Sequence, residues 1–267
     1  MKRVDIVNAI YNAYDEDARL TKSRNGQLES ITTMRYIHAL LPEGAKVLEV
    51  GAGTGRYSVA LAREGYDVSA VELVERNLET LRENAKGLEN LSATQGDATN
   101  LGAFPDDAFD AVLALGPMYH LYAPEDWNRA LDEAIRVTKP GGLIFTAFLS
   151  VYAILYANYL SGNFREGLAE NFDGDFRVRH FEEQGFTCFD ISEFEALFDG
   201  KPVREIALAG TDSVLELAKR MNGFSLPDEE FEAFVRYHLH TCEIRELLGS
   251  HSHLLHICRK QDGRTNR

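Results

Sequence analysis

Cysteine is scarce: only Cys188, Cys242 and Cys258 occur in 267 residues, and none forms a C-x-x-C pair. So thin and scattered a set builds neither a disulfide framework nor a zinc site, and it fits a reducing compartment. Basic charge is short as well. Lys and Arg number 28 against 42 Asp and Glu, a formal net charge of -14, and such a field repels a phosphate backbone. No local patch offsets it; residues 160–199 hold ten acidic side chains against Arg165, Arg177 and Arg179. Long apolar runs are missing too. The longest, 145–160, is interrupted by Thr146, Ser150 and Asn158, and reads as a strand entering a helix rather than a membrane span. The N-terminus mixes Lys2, Arg3, Asp5, Asp15, Glu16 and Asp17, without the apolar core of a signal peptide. Neither repeats nor low-complexity segments occur. The expectation is a cytoplasmic protein with no nucleic acid and no membrane among its partners.

What is present is a globular composition, 45% hydrophobic and 26% charged, enough for one α/β domain with an accessory region. Residues 4–41 carry helical apolar spacing, broken near 21–26 by Ser23, Asn25 and Gly26, and Pro42-Glu43-Gly44 marks a turn. Strands at 46–50, 67–71, 91–95, 109–115 and 143–148 then alternate with helical segments at 57–64, 74–84 and 124–137. That rhythm signals a parallel sheet covered by helices. Pro140-Gly141-Gly142 reads as a turn before the fifth strand. Helical patterning follows at 150–160, 164–171 and 193–198, and 203–209 and 254–259 complete the strands. Between those last two, 213–221 and 228–248 are helical, too long a connection for a hairpin loop. The expected fold is a Rossmann-like, seven-stranded, mostly parallel sheet with helices on both faces. Residues 1–41 form an N-terminal helical lid, 42–212 with 251–260 the core, 213–250 a helical cap and 261–267 a tail.

The most informative segment is 47–56, where a buried strand turns over Gly51, Gly53 and Gly55 into a helix. Such glycines let a ligand sit against the main chain. Arg56 stands where a dinucleotide fingerprint has its third glycine, and Glu49 adds a carboxylate near the mouth. A carboxylate there suits a positively charged ligand better than a pyrophosphate. Ligands of open parallel sheets sit beyond the carboxyl ends of the strands. Glu72 ends the second strand, 21 residues after Gly51, and its two oxygens match the vicinal diol of a ribose. Gly96-Asp97-Ala98 follows the third strand, placing Asp97 to accept from an adenine amino group. Leu115-Gly116-Pro117-Met118-Tyr119-His120 follows the fourth.

In order and spacing this set resembles the class I S-adenosylmethionine-dependent methyltransferases, particularly those acting on small molecules. The resemblance covers roughly 44–150 and rests on E-V-G-A-G-T-G at 49–55, Val71-Glu72, Gly96-Asp97-Ala98, the strand at 109–115 and Lys139-Pro140-Gly141-Gly142. It implies S-adenosylmethionine as cofactor, S-adenosylhomocysteine as product and no metal. It also implies that Gly51 and Gly53 pass close to the methionine part, with Ala52, Gly55, Leu115 and Gly116 among the other cofactor-binding residues. Glu49 would lie near the ammonium or hold the loop in shape, Glu72 would bind the ribose, and Asp97 with Ala98 would meet the adenine. Leu73 would pack on the adenine face. In similar enzymes the N-terminal helices cover the site, and here they offer Tyr11, Tyr14, Arg19, Arg24 and Gln27.

A hydroxyl or protonated amine acceptor needs a general base. His120, just after the fourth strand, is the candidate, because imidazole titrates near neutrality; the competing reading is a histidine bonded to a loop carbonyl. Substrate contacts are expected from Tyr14, Tyr119, His120, Phe148 and Tyr152. Tyr152, Tyr156 and Tyr159 share a helical face, where core packing competes with a substrate wall. His240, His251, His253 and His256 cluster late, but His253 and His256 face opposite sides of an apparent strand and make no metal site. The strand-four loop lacks the Asn/Asp-Pro-Pro-aromatic run of nucleic-acid amino methyltransferases. The leading expectation is methyl transfer to O or N of a small molecule. The alternatives are a methyltransferase acting on protein or RNA, a non-catalytic S-adenosylmethionine-binding protein, and a nicotinamide oxidoreductase, against which Arg56 and Glu49 argue.

Overall fold

The computed structural model describes residues 3–13, 19–181 and 185–262. Its strands are β1 (Lys46–Val50), β2 (Asp67–Glu72), β3 (Leu91–Gln95), β4 (Phe109–Ala114), β5 (Thr138–Ser150), β6 (Cys188–Phe189), β7 (Val203–Gly210) and β8 (His253–Lys260). They form one eight-stranded sheet in the order β3-β2-β1-β4-β5-β8-β7, with the two-residue β6 paired to β5 off that path. β1 to β6 pair in parallel, and β8 runs antiparallel to both β5 and β7. A parallel sheet is covered on both faces, so its strands read as near-continuous apolar runs. In β4, Phe109, Ala111, Val112 and Leu113 are all buried.

The pleat sorts these residues. Val47, Leu113 and Phe145 enter one core cluster, whereas Leu48, Val112 and Ile144 meet Ala134, Ile135 and Val137 on the opposite face. Helices α1 (Arg3–Ala13), α2 (Arg19–Lys22) and α3 (Arg24–Leu40) precede the sheet, and α4 (Arg56–Arg63), α5 (Glu75–Asn84) and α6 (Pro124–Val137) cross between its strands. α6 shows why the sequence folds this way. Pro124 occupies its first turn with Glu125 and Asp126, matching the missing N–H partners and the dipole there. Trp127, Ala130, Leu131, Ala134 and Ile135 then recur at helical spacing and are buried. α7 (Val151–Tyr159), α8 (Phe164–Asn171) and α9 (Ile191–Ala196) lie between β5 and β7. Among the described residues, no helix is long and apolar enough to cross a membrane.

The short β6 makes the sheet eight-stranded where seven strands were expected, two further features differ from the sequence reading, and the helical cap gains detail. Pro140-Gly141-Gly142 lies inside β5, where the register jumps from Phe109↔Thr138 to Ala111↔Leu143. The turn is thus a bulge; a Cβ on Gly142 would stand 2.8 Å from the Asp110 carbonyl. The cap resolves into α10 (Leu215–Ala218), α11 (Asp228–Thr241) and α12 (Arg245–Leu248). Finally, lid and cap are packed on one another. Leu28 of α3 shares a core with Leu215 and Phe231, Thr32 Oγ1 bonds His238 Nε2 at 2.9 Å, and Arg24 donates to the Leu226 carbonyl at 3.0 Å. Segments about 200 residues apart in the chain make one helical layer, which helical spacing alone does not reveal.

Candidate functional site

A cavity of about 750 Å³ lies at the carboxyl ends of β1, β2, β4 and β5. There the chain runs outward from β1 to β3 before returning to β4, the point where ligands of open α/β sheets bind. The glycine turn forms one wall. Gly51 and Ala52 donate to the Val71 carbonyl at 2.8 and 3.0 Å, which folds the turn back over β2. Gly51 has φ +70°, and a Cβ on it would meet Pro117 Cδ at 2.9 Å, so both the backbone and the space demand glycine. Ala52, Gly53, Leu73, Ala98, Leu115 and Gly116, each named from the sequence, also line the cavity, together with Thr54, which was not. Gly55 does not. It caps α4 at φ +86°, and a Cβ there would stand 2.8 Å from Leu81 Cγ; its role is to let α4 pack on α5.

Glu72, the last residue of β2, is 5% exposed. Its two oxygens are aimed by two amides: Gly53 N–H donates to Oε2 at 2.7 Å and Val74 N–H to Oε1 at 2.9 Å. Burial pushes this carboxyl above its usual range, and those amide donors pull it back. Glu49 is buried deeper. Its Oε2 accepts from Ser58 N–H at 2.8 Å and from the Ser58 hydroxyl, so it braces the first turn of α4 while lining the cavity. Burial raises its pKa to about 8 against those donors, with Glu72 adding to the rise. A carboxyl raised on folding holds its proton longer in the native state, so stability falls as pH climbs from the ordinary carboxylate range to about 8. Glu49→Gln removes that titration and keeps an acceptor for Ser58. The Tm of Glu49→Gln minus that of the natural chain should increase steadily from pH 5 to pH 8; a constant difference would show Glu49 ionised throughout.

Asp97 lies on the cavity wall with both oxygens engaged. Oδ1 accepts from Thr99 N–H and the Thr99 hydroxyl, each at 2.9 Å, and Oδ2 pairs with Arg3 of α1. Beside its expected adenine contact, Asp97 therefore shapes the turn after β3 and anchors the N-terminal helix. His120 also meets that helix. It ends the 3-10 turn Pro117–His120 and is 6% exposed. Since a carbonyl only accepts, Nδ1–H donates to Gly185 O at 2.9 Å, and Nε2 accepts from the Tyr11 hydroxyl at 2.9 Å. Burial lowers its pKa to about 4. Both nitrogens are used in this arrangement and the ring is held neutral, as a fastening for α1.

On the acceptor side the structure corrects two expectations. Phe148 is fully buried and faces α6, its ring stacked on Phe194 with centroids 3.8 Å apart; the neighbouring Leu149 is the residue that lines the cavity. Tyr152 does not line it either, and its hydroxyl donates to Asp190. Tyr119 does, with its ring between those of His120 and His253. Tyr14 falls outside the described residues. Tyr159 of the aromatic face lines the cavity, and reading the sequence missed Ile154 and Asn158 beside it on α7, Asn25 and Glu29 on α3, and Glu216 on α10. Ile154 and Asn158 are four residues apart, a helical-face signal obscured by the aromatic spacing beside it. Asn25 Nδ2 donates to Glu216 Oε2 at 2.7 Å, and Lys219 and Arg220 also pair with Glu216. Cys188 borders the cavity as well, where burial pushes its thiol up to about 12 and keeps it un-ionised.

Comparison with known proteins adds relatives to this geometry. A family model described as "Methyltransferase domain" matches residues 47–142, from the glycine turn to the bulge of β5. A demethylmenaquinone methyltransferase of Clavibacter sepedonicus is 36% identical over 135 residues, covering 51% of this chain and 53% of the relative. Another of that name, from Staphylococcus aureus, is 30% identical over 178 residues, covering 57% of this chain and 72% of the relative. The chain spans about half the length of the first curated relatives it matches. Among solved structures, a SAM-dependent methyltransferase from Thermotoga maritima superposes with a TM-score of 0.58 at 19% identity, over 98% of this chain and 100% of that one. The shared stretch contains the strand ends that hold Gly51, Glu72 and Asp97, and with nearly three quarters of one relative covered, the chain belongs to the class I S-adenosylmethionine-dependent methyltransferase family.

Proposed function

We propose that this chain transfers a methyl group from S-adenosylmethionine to an oxygen or nitrogen atom of a small molecule by in-line displacement, releasing S-adenosylhomocysteine. The observation that carries this reading is Glu72: a nearly buried carboxylate fixed by the amides of Gly53 and Val74 at the rim of a glycine turn that admits no side chain at Gly51. The two oxygens of this carboxylate, also approached by the Asn77 side chain and the Leu73 amide, would face the vicinal hydroxyls of a ribose. Leu73 and Ala98 offer an apolar slot for an adenine, and Gly51, Ala52 and Gly53 offer bare backbone to an amino-acid moiety. The residues present fit the cofactor.

When bound, S-adenosylmethionine supplies an activated methyl on a sulfonium; the chain's own task is to align the acceptor and exclude water. Arg3, Val7 and Tyr11 of α1 and Asn25 and Glu29 of α3 line the cavity from above. Helices α1 to α3 then act as a lid fastened at two points, Arg3 on Asp97 and Tyr11 on His120. The buried Asn25–Glu216 pair and its lysine and arginine neighbours make the far end polar, which suits a compact acceptor with hydrogen-bonding groups. The expected result of a release assay for S-adenosylhomocysteine is turnover with members of a panel of phenols and amines. Turnover with peptides or RNA alone would overturn the small-molecule assignment.

A further inference from the structure

The far end of the cavity is bordered by α10 and the turn that follows it. Leu215 of α10 packs with Leu28 of α3 and Phe231 of α11, which seats the short helix and fixes the direction of its neighbours. Glu216, the next residue, is 7% exposed and accepts from Asn25 Nδ2 at 2.7 Å. Lys219 and Arg220 come three and four residues later, a spacing that returns to the face of Glu216. The helical hydrogen bonding continues through them: Lys219 N–H donates to the Leu215 carbonyl and Arg220 N–H to the Leu217 carbonyl, both at 3.0 Å. Lys219 Nζ pairs with Glu216 Oε2, and Arg220 Nη2 lies 3.4 Å from Oε1. All three side chains line the cavity, as does Asn25.

We infer that Lys219 and Arg220 form a carboxylate-binding subsite, so that the methyl acceptor is a small molecule bearing a carboxylate apart from the atom that is methylated. The inference rests on the methyl-transfer reading above. Two cations share one carboxylate here, which leaves a surplus of positive charge. An ammonium has three N–H donors and a guanidinium five, and neither accepts. One contact from Lys219 and one long contact from Arg220 leave most of those donors for a ligand. Their side chains are 38% and 51% exposed, so an incoming anion can reach them. The planar fork of Arg220 matches both oxygens of a carboxylate, with Lys219 as a point charge beside it. Glu216 is then a positioning residue: Asn25 holds it from the buried side, and it gathers the two cations at the cavity.

The other charges near this end have different tasks. Asp212 is wholly buried, accepts from Ser252 N–H at 3.0 Å and lies 2.8 Å from His253 Nδ1. Glu29 is buried one turn after Asn25 and stands close enough to Asp212 to help raise its pKa, after burial itself. Arg3 is paired with Asp97 on the cofactor side. The cations that face the acceptor end from α10 are Lys219 and Arg220, and an ammonium on the acceptor would meet them with like charge.

The test is ligand-observed NMR titration of the full chain, alone and saturated with S-adenosylhomocysteine, with three phenols of similar shape. These are 3-(4-hydroxyphenyl)propionate, its neutral amide and tyramine. The carboxylate should bind about tenfold more tightly than the amide, a gain moderated by the exposure of both cations, and tyramine should bind most weakly. Raising NaCl from about 50 to about 500 mM should weaken the carboxylate and leave the amide unchanged. In the double variant Lys219→Met, Arg220→Met the carboxylate and the amide should bind alike, with S-adenosylhomocysteine still bound within about threefold of the natural chain. Undetectable binding of the carboxylate, equal binding of carboxylate and amide by the natural chain, preference for tyramine, or a carboxylate preference that survives in the double variant would overturn the subsite. A tenfold loss of S-adenosylhomocysteine in that variant would place the cations on the cofactor and overturn it equally. A natural chain that prefers the carboxylate but binds no S-adenosylhomocysteine would remove the methyl-transfer reading and keep the subsite.

Discussion

Glu72→Ala should bind S-adenosylhomocysteine at least a hundredfold more weakly than the natural chain. The side chain is nearly buried, and its two oxygens are held in place by backbone amides before any ligand arrives. A carboxylate so preorganised loses no freedom on binding, and each hydrogen bond to a charged acceptor contributes about 1.5–3 kcal/mol. Losing two gives at least about 3 kcal/mol, more than two decades in Kd. The effect is also visible in melting. At one hundred times Kd a ligand stabilises its protein by about 2.7 kcal/mol; with Kd raised a hundredfold, the same concentration yields only about 0.4 kcal/mol. The shift of roughly 5–10 °C expected for the natural chain should nearly vanish. Glu72→Gln, which keeps one acceptor oxygen, should fall between the two. A Glu72→Ala protein that folds and keeps the full shift would remove Glu72 from the site.

Phe148→Ala should behave in the opposite way, with a large loss of stability and no change in cofactor affinity. Phe148 is fully buried, stacked on Phe194 at 3.8 Å and edge-on to Phe189 at 6.4 Å. It shares its cluster with Met118, Leu121, Trp127 and Leu131 on the face of the sheet that α6 covers. Removing a buried phenyl ring costs about 3–5 kcal/mol, the higher figures where the surroundings cannot collapse. Aromatic partners on two sides make collapse difficult here. Thermal melts should show a fall of roughly 8–15 °C, while titration with S-adenosylhomocysteine gives a Kd within threefold of the natural one. Little change in stability with a weakened substrate response would return Phe148 to the cavity wall.

Phe148 also shows where sequence reading reaches its limit. Strands β1 to β5, the turn at Gly51 and Glu72 at the end of β2 follow from local signals: buried apolar runs, glycine spacing and a carboxylate at a strand end. The phase of a doubly covered strand has no such signal. Both faces of β5 are apolar, so nothing in the chain says whether Phe148 or Leu149 meets the cavity, and a one-residue slip moves a side chain to the other face. The same holds for α7, where tertiary packing rather than aromatic spacing turns Ile154 and Asn158 inward. Pairings between distant segments are still less visible. Arg3 with Asp97, Tyr11 with His120 and Asp212 with His253 are separated by 94, 109 and 41 positions. Each depends on how helices and loops close over the finished sheet. The donor side of the site lies within a continuous strand–turn–helix pattern, whereas the acceptor side is assembled from α3, the turn after β4, α7, α10 and the start of β8.

On the proposed function, the carboxyl edge of β1, β2 and β4 holds an adenosyl sulfonium and its sulfide product. Calorimetric titration of the purified full chain with S-adenosylhomocysteine, and in parallel with NAD, decides between the two ligands. The expected result is saturable binding of one S-adenosylhomocysteine per chain and no heat from NAD. Binding of NAD, or no binding of S-adenosylhomocysteine, would contradict it.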